Sequence, residues 1–131
     1  MKDIADFKGN PFFKESEFKC KCGNCNQKHI HKDLLNKLTT ARKTANIPFF
    51  ITSGCRCPEH NAKIGGVKNS DHLSNAQNIC CGVDIGCTTD SNRYKLIKSL
   101  LDAGINRIGI SYKFVHAGID VRNPKEVIWF Y

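Results

Sequence analysis

The stretch from Thr52 to Ile85, TSGCRCPEHNAKIGGVKNSDHLSNAQNICCGVDI, decides how the chain is to be read. It is entered through the apolar run Phe49-Phe50-Ile51 and left through Val83-Asp84-Ile85, two strand-like segments around a polar interior. Asp84 is the most telling position, because an acid inside a short buried strand needs a partner or a metal. His72 lies upstream of it, and His116 lies downstream in Phe114-Val115-His116. His72, Asp84 and His116 form a plausible metal set. Three protein ligands with a fourth position open is the catalytic rather than the structural zinc pattern.

Working outward, Leu34, Leu38, Ala41 and Ala45, with Leu35 beside them, mark one face of a helix over about 30–46. Pro48 ends it, and 48–52 reads as a strand. Pro58 suits the first position of a short helix that Gly65-Gly66 stops. After the strand carrying Asp84, a helix is expected from a cap at Asp90 or Ser91 to Gly104, with Tyr94, Ile97 and Leu101 as its buried stripe. Segments 107–111, 114–120 and 127–130 read as strands, the last two separated by the Asn123-Pro124 turn. Late strands with helices between them predict an α+β fold with a small antiparallel sheet flanked by helices. At 131 residues one domain is expected over 1–131, with 1–19 as an N-terminal arm that Phe12, Phe13 and Phe18 pin to the body.

The net charge of +8 is spread along the chain and favours anionic partners, among them nucleic acid, anionic lipid and bacterial wall polymers. No basic-aromatic interleaving or recognition helix singles out nucleic acid. No apolar run approaches the roughly 20 residues of a membrane span, and the first residues carry no apolar segment of the signal-peptide kind. A monomer is expected.

The eight cysteines fall into three groups: Cys20, Cys22 and Cys25; Cys55 and Cys57; Cys80, Cys81 and Cys87. Their pairing is not deducible from sequence. Cys20-Lys-Cys-Gly-Asn-Cys25 resembles half a zinc site that Cys55 or Cys57 could complete, and buried free thiols or an occasional disulfide are the plainer alternative. His29, His31 and His60 have no comparable context and read as solvated, although His60 stands near Cys57.

Ser53-Gly54-Cys55-Arg56, Gly65-Gly66-Val67, Ser70-Asp71-His72, Val83-Asp84-Ile85, Phe114-Val115-His116 and the closing Val127-Ile128-Trp129-Phe130-Tyr131 occur in that order. Together they resemble the short M15 zinc peptidases, relatives of D-Ala-D-Ala carboxypeptidases and phage L-alanyl-D-glutamate endopeptidases, over about residues 14–131. The resemblance implies the small α+β fold shared with the hedgehog zinc domain. It implies zinc as cofactor, with His72, Asp84 and His116 as ligands. It also implies that Arg56 holds substrate or polarises the reacting carbonyl, and that Ser70 binds a substrate carboxylate. The implied activity is hydrolysis of peptide bonds in peptidoglycan stems by a protein made in the cytoplasm and acting on the wall after release. Anionic wall polymers would be its further partners.

Two departures stand against the family pattern. In relatives the aspartate follows the first histidine by about seven positions, whereas Asp84 follows His72 by twelve; a surface loop over Ser74–Ile79 absorbs such an insertion cheaply, since closure entropy grows only logarithmically. The second concerns the general base. Relatives often read Phe-x-His-x-Asp, but Gly118 holds that aspartate's place, and Lys113 stands where others carry an acid before the histidine. Asp120, about 13 Å along a strand from His116, is too distant for proton transfer, and Asp71 is an alternative of unknown direction. The general base is left unassigned. A catalytically inactive wall-binding relative and a cysteine-zinc nucleic-acid module are the competing readings.

Overall fold

The computed structural model describes residues 3–131. Helix α1 (Lys32–Ala45) buries Leu34, Leu35, Leu38 and Ala41 at the spacing the apolar pattern predicts. Its N-cap is His31, whose Nδ1 accepts the Asp33 N–H, so this histidine is structural rather than merely solvated. Asn46, in the left-handed region at φ 55°, closes the helix. Strand β1 (Ile51–Ser53) and helix α2 (Pro58–Lys63) come next, then β2 (Gly82–Gly86), α3 (Asp90–Asp102), β3 (Arg107–Ile110), β4 (Phe114–Gly118) and β5 (Val127–Phe130).

The strands form one sheet in the order β1-β2-β4-β3-β5. The α+β expectation holds. The sheet is antiparallel in every pairing except β3·β5, which is parallel. The chain leaves β4 and pairs on the far side of β3, which itself runs opposite to β4; a strand that reverses from β4 and skips past β3 therefore runs alongside β3.

Period-two alternation splits the sheet into two faces. Val83, Ile85, Ile108, Val115 and Ala117 point to the core, where Leu34, Leu38, Leu96 and Leu100 of the helices cover them. Asp84, His116, Gly118, Arg107 and Gly109 alternate with them and so share the opposite face. This parity puts chemistry on one side of a five-stranded sheet and packing on the other.

Helix α3 corrects the expected pattern. Its cap is Thr89, whose hydroxyl accepts the Asn92 N–H, and not Asp90 or Ser91. Its buried residues are Leu96, Ser99 and Leu100, while Tyr94 and Leu101 are exposed. Two apolar stripes lie side by side on this helix, and contact with α1 selects the one containing Leu96 and Leu100. The N-terminal segment behaves as expected: Phe13 and Phe18 are buried in the core and Phe12 packs against it. Among the described residues no helix is long and apolar enough to cross a membrane.

Candidate metal centre

Asp84 and His116 face one another across β2 and β4 as a registered pair, so sheet geometry alone brings the carboxylate and one imidazole together. His72 arrives from the loop after α2. Arg56 N–H donates to the His72 carbonyl at 2.8 Å and Ser74 N–H to the Arg56 carbonyl at 2.9 Å, so this loop runs beside the Arg56 segment. The long Ser74–Ile79 loop does not pull the ligands apart. Arg122 ties the segment that leads into it to its far end, donating to the carbonyls of Ser70 at 2.8 Å and Ile79 at 2.9 Å. Asn75 closes it from within by accepting the N–H groups of Gln77 and Asn78.

One ligand atom from each of His72, Asp84 and His116 lies within 4.8 Å of the others, and all three residues are buried. Asp84 Oδ1 sits 3.2 Å from His72 Nε2 and 2.9 Å from His116 Nδ1. The far nitrogens fix the orientation of both rings. His72 Nδ1 donates to the Gly54 carbonyl at 2.7 Å, and His116 Nε2 meets Asp71 Oδ2 at 2.9 Å. Histidines that ligate metals are oriented in this way through their second nitrogen.

Burial and mutual contacts set the protonation of the three residues. Burial pushes the His72 pKa down, against the pull of Asp84, so this ring is neutral. With its proton on Nδ1, it turns the Nε2 lone pair towards Asp84 Oδ1. Two acceptors 3.2 Å apart repel unless a cation lies between them. Burial opposes ionisation of Asp84, but the hydrogen bond from His116 Nδ1 outweighs it and holds the carboxyl well below the usual range. Burial likewise depresses His116, yet Asp71 and Asp84 together raise it. For a tetrahedral ion with ligand bonds of about 2.0–2.1 Å, ligand atoms sit roughly 3.3 Å apart, close to the separations seen. The donor set therefore suits a divalent metal such as zinc.

Asp71, whose direction the sequence left open, is the residue that holds His116. Its Oδ2 also accepts from Arg107 Nε at 3.0 Å, and its Oδ1 accepts from Asn123 Nδ2 at 2.8 Å. Burial pushes the Asp71 pKa up, but His116, Asn123 and Arg107 bring it down to about 2. Both oxygens accept hydrogen bonds, so Asp71 positions a ligand. Asp120 accepts from Asn106 at 2.7 Å and lies outside the cleft.

Gly118 explains why Asp71 can be there. A Cβ at residue 118 would lie 2.6 Å from Asp71 Oδ2, and one at Gly82, its partner across β2·β4, would lie 2.5 Å from Asp71 Cβ. The glycine pair leaves the space that the Asp71 side chain fills.

The centre opens into a cleft of about 430 Å³ whose walls include Arg56, Ser70, Arg107, Trp129 and Tyr131. Arg56 Nη2 stands 3.6 Å from Asp84 Oδ2, while its Nε donates to Ser53 Oγ and its Nη1 to Asn61 Oδ1, each at 3.3 Å. Ser70 Oγ accepts the His72 N–H at 3.1 Å, which leaves its own hydrogen free to donate. Trp129 stacks near His116, with ring centroids 5.3 Å apart, and Arg107 lies over the indole. The role of Arg107 had no sequence signal beyond the strand parity it shares with His116.

The family model for peptidase M15 matches residues 11–119. The chain belongs to the M15 peptidase family. A comparison with curated proteins found no match. Membership makes this M15 peptidase a metallopeptidase and a hydrolase by family, and the His72/Asp84/His116 cluster is its possible metal site.

Proposed function

We propose that the chain is a zinc-dependent peptidase that hydrolyses peptide bonds in peptidoglycan stem peptides. The observation that carries this reading is the convergence of His72, Asp84 and His116, with both imidazoles lining an open cleft, in a chain of the M15 family. A zinc ion held by these residues supplies Lewis acidity towards a carbonyl oxygen and lowers the pKa of water to about 7. The remaining work belongs to the protein. Arg56, fixed by Ser53 and Asn61, presents a guanidinium beside the ligands, where it holds a substrate carboxylate or the oxygen on which charge develops. Ser70 offers a hydroxyl on the same wall. Trp129 and Tyr131 give an apolar flank against which a stem peptide packs, and the net charge of +8 favours residence on an anionic wall.

A catalytically inactive wall-binding relative is the second reading. It is favoured by one observation: among the described residues, Asp71 is the only side-chain carboxylate lining the cleft, and both its oxygens already accept hydrogen bonds. Mass spectrometry of fragments released from purified peptidoglycan separates the two. Cleavage that a chelator removes, zinc restores and His72→Ala abolishes supports the peptidase. Binding to the wall without any release of peptide fragments, in zinc-loaded protein, overturns it.

A further inference from the structure

The eight cysteines divide into two populations. Cys55, Cys80, Cys81 and Cys87 belong to the hydrophobic core. Cys20, Cys22, Cys25 and Cys57 lie outside that core and face one another, with all four sulfurs within 4.8 Å. Cys22 Sγ is 3.4 Å from Cys25 Sγ and 3.8 Å from Cys57 Sγ. Four sulfurs around a zinc ion at about 2.3 Å sit roughly 3.8 Å from each other, whereas a disulfide needs about 2.05 Å.

The surrounding backbone is arranged for thiolates. Cys57 N–H donates to Cys20 Sγ at 3.3 Å, Asn24 N–H to Cys22 Sγ at 3.3 Å, and His60 N–H to Cys57 Sγ at 3.4 Å. Gly23, at φ 79°, makes the turn between Cys22 and Cys25 that brings both sulfurs to one side. The loop is closed by Cys20 N–H donating to the Gln27 carbonyl at 2.7 Å. Lys21 donates to the Thr52 carbonyl, which places a cation on the loop and ties it to β1. Half-exposed Cys22 and Cys25 gain little from burial, so packing does not account for their position.

We infer that Cys20, Cys22, Cys25 and Cys57 form a structural tetrathiolate zinc site, separate from the His72/Asp84/His116 centre. Three ligands come from one short loop. The fourth, Cys57, caps α2 and directly follows Arg56. The ion therefore fastens the N-terminal segment to the stretch that delivers Arg56 to the cleft. Binding replaces thiol protons by zinc–sulfur bonds and releases those protons to solvent, with no change of oxidation state.

The test is metal analysis and cobalt substitution on the full chain, purified under reducing conditions. The expected wild-type cobalt spectrum carries the intense near-ultraviolet band of sulfur-to-metal charge transfer. That band persists in His72→Ala and disappears in Cys22→Ser and Cys25→Ser, each of which loses one equivalent of zinc relative to wild type. Cys87→Ser, in the core population, keeps the band and the zinc. If the loop variants fail to fold, the wild-type spectrum decides. A wild-type spectrum without the thiolate band, unchanged zinc in folded Cys22→Ser, or iron in place of zinc overturns the inference. Loss of zinc in His72→Ala reports only on the other centre, so failure of one assignment is distinguishable from failure of the other.

Discussion

Asp71 Oδ2 lies 2.9 Å from His116 Nε2 and 2.6 Å from the point that a Cβ on residue 118 would occupy. A carboxylate from the loop after α2 thus fills the space beside a β4 glycine where many relatives carry an aspartate. The loop carboxylate and the glycine belong together. Gly118→Asp alone is expected to drive Asp71 away from His116, costing about 1–3 kcal/mol in stability through overpacking and weakening metal binding by roughly 10–100-fold. Asp71→Ala alone should weaken metal binding to a similar degree, and the Asp71→Ala/Gly118→Asp double variant should recover much of it. Zinc affinity by competition with a chelating dye checks this, and additive losses in the double variant would refute the exchange.

Arg56 tests the division between metal holding and substrate handling. Arg56→Lys keeps a positive charge but lacks the planar fork that reaches Ser53 and Asn61. Zinc content is expected to stay at the wild-type level while peptidoglycan hydrolysis falls by roughly 10²–10³-fold. A fall in zinc content would make Arg56 a residue of the metal centre instead.

The metal-free protein should show an acid transition that reports Asp71. Its carboxyl is lowered from 3.8 to about 2 on folding. The associated stability is complete above the unfolded value and is lost as pH falls through about 2, amounting to about 2 kcal/mol. Denaturant titrations of chelated protein between these limits should show the loss in wild type, and a shallower slope in Asp71→Asn. Equal slopes would refute the lowering of the Asp71 carboxyl on folding.

Thr89 sets the start of α3. Thr89→Ala removes the acceptor for Asn92 N–H and is expected to cost about 1 kcal/mol. Ser91→Ala, lying inside the first turn, should change thermal stability by only a few tenths of that amount. The reverse order in a melting experiment would return the cap to the position that sequence pattern favours.

Features governed by local rules were legible in the amino-acid order alone. The 3.6-residue spacing of Leu34, Leu38 and Ala41 specified α1, and alternation along Val83-Asp84-Ile85 and Val115-His116-Ala117 separated core side chains from reactive ones. With those parities, Asp84 and His116 had to share a face once their strands paired. Folding in three dimensions settled every feature that depended on which neighbour a side chain meets. Contact with α1 chose Leu96 and Leu100 over Tyr94 and Leu101 as the buried face of α3. Chain crossing beyond β3 made β5 parallel. The loop after α2 turned Asp71 onto His116, and folding of the N-terminal loop brought Cys57, rather than Cys55, to Cys20, Cys22 and Cys25. Local periodicity fixes the face on which a residue lies, because backbone geometry repeats. It carries no information about what comes to rest against that face, because such contacts join segments whose separation along the chain leaves no periodic trace.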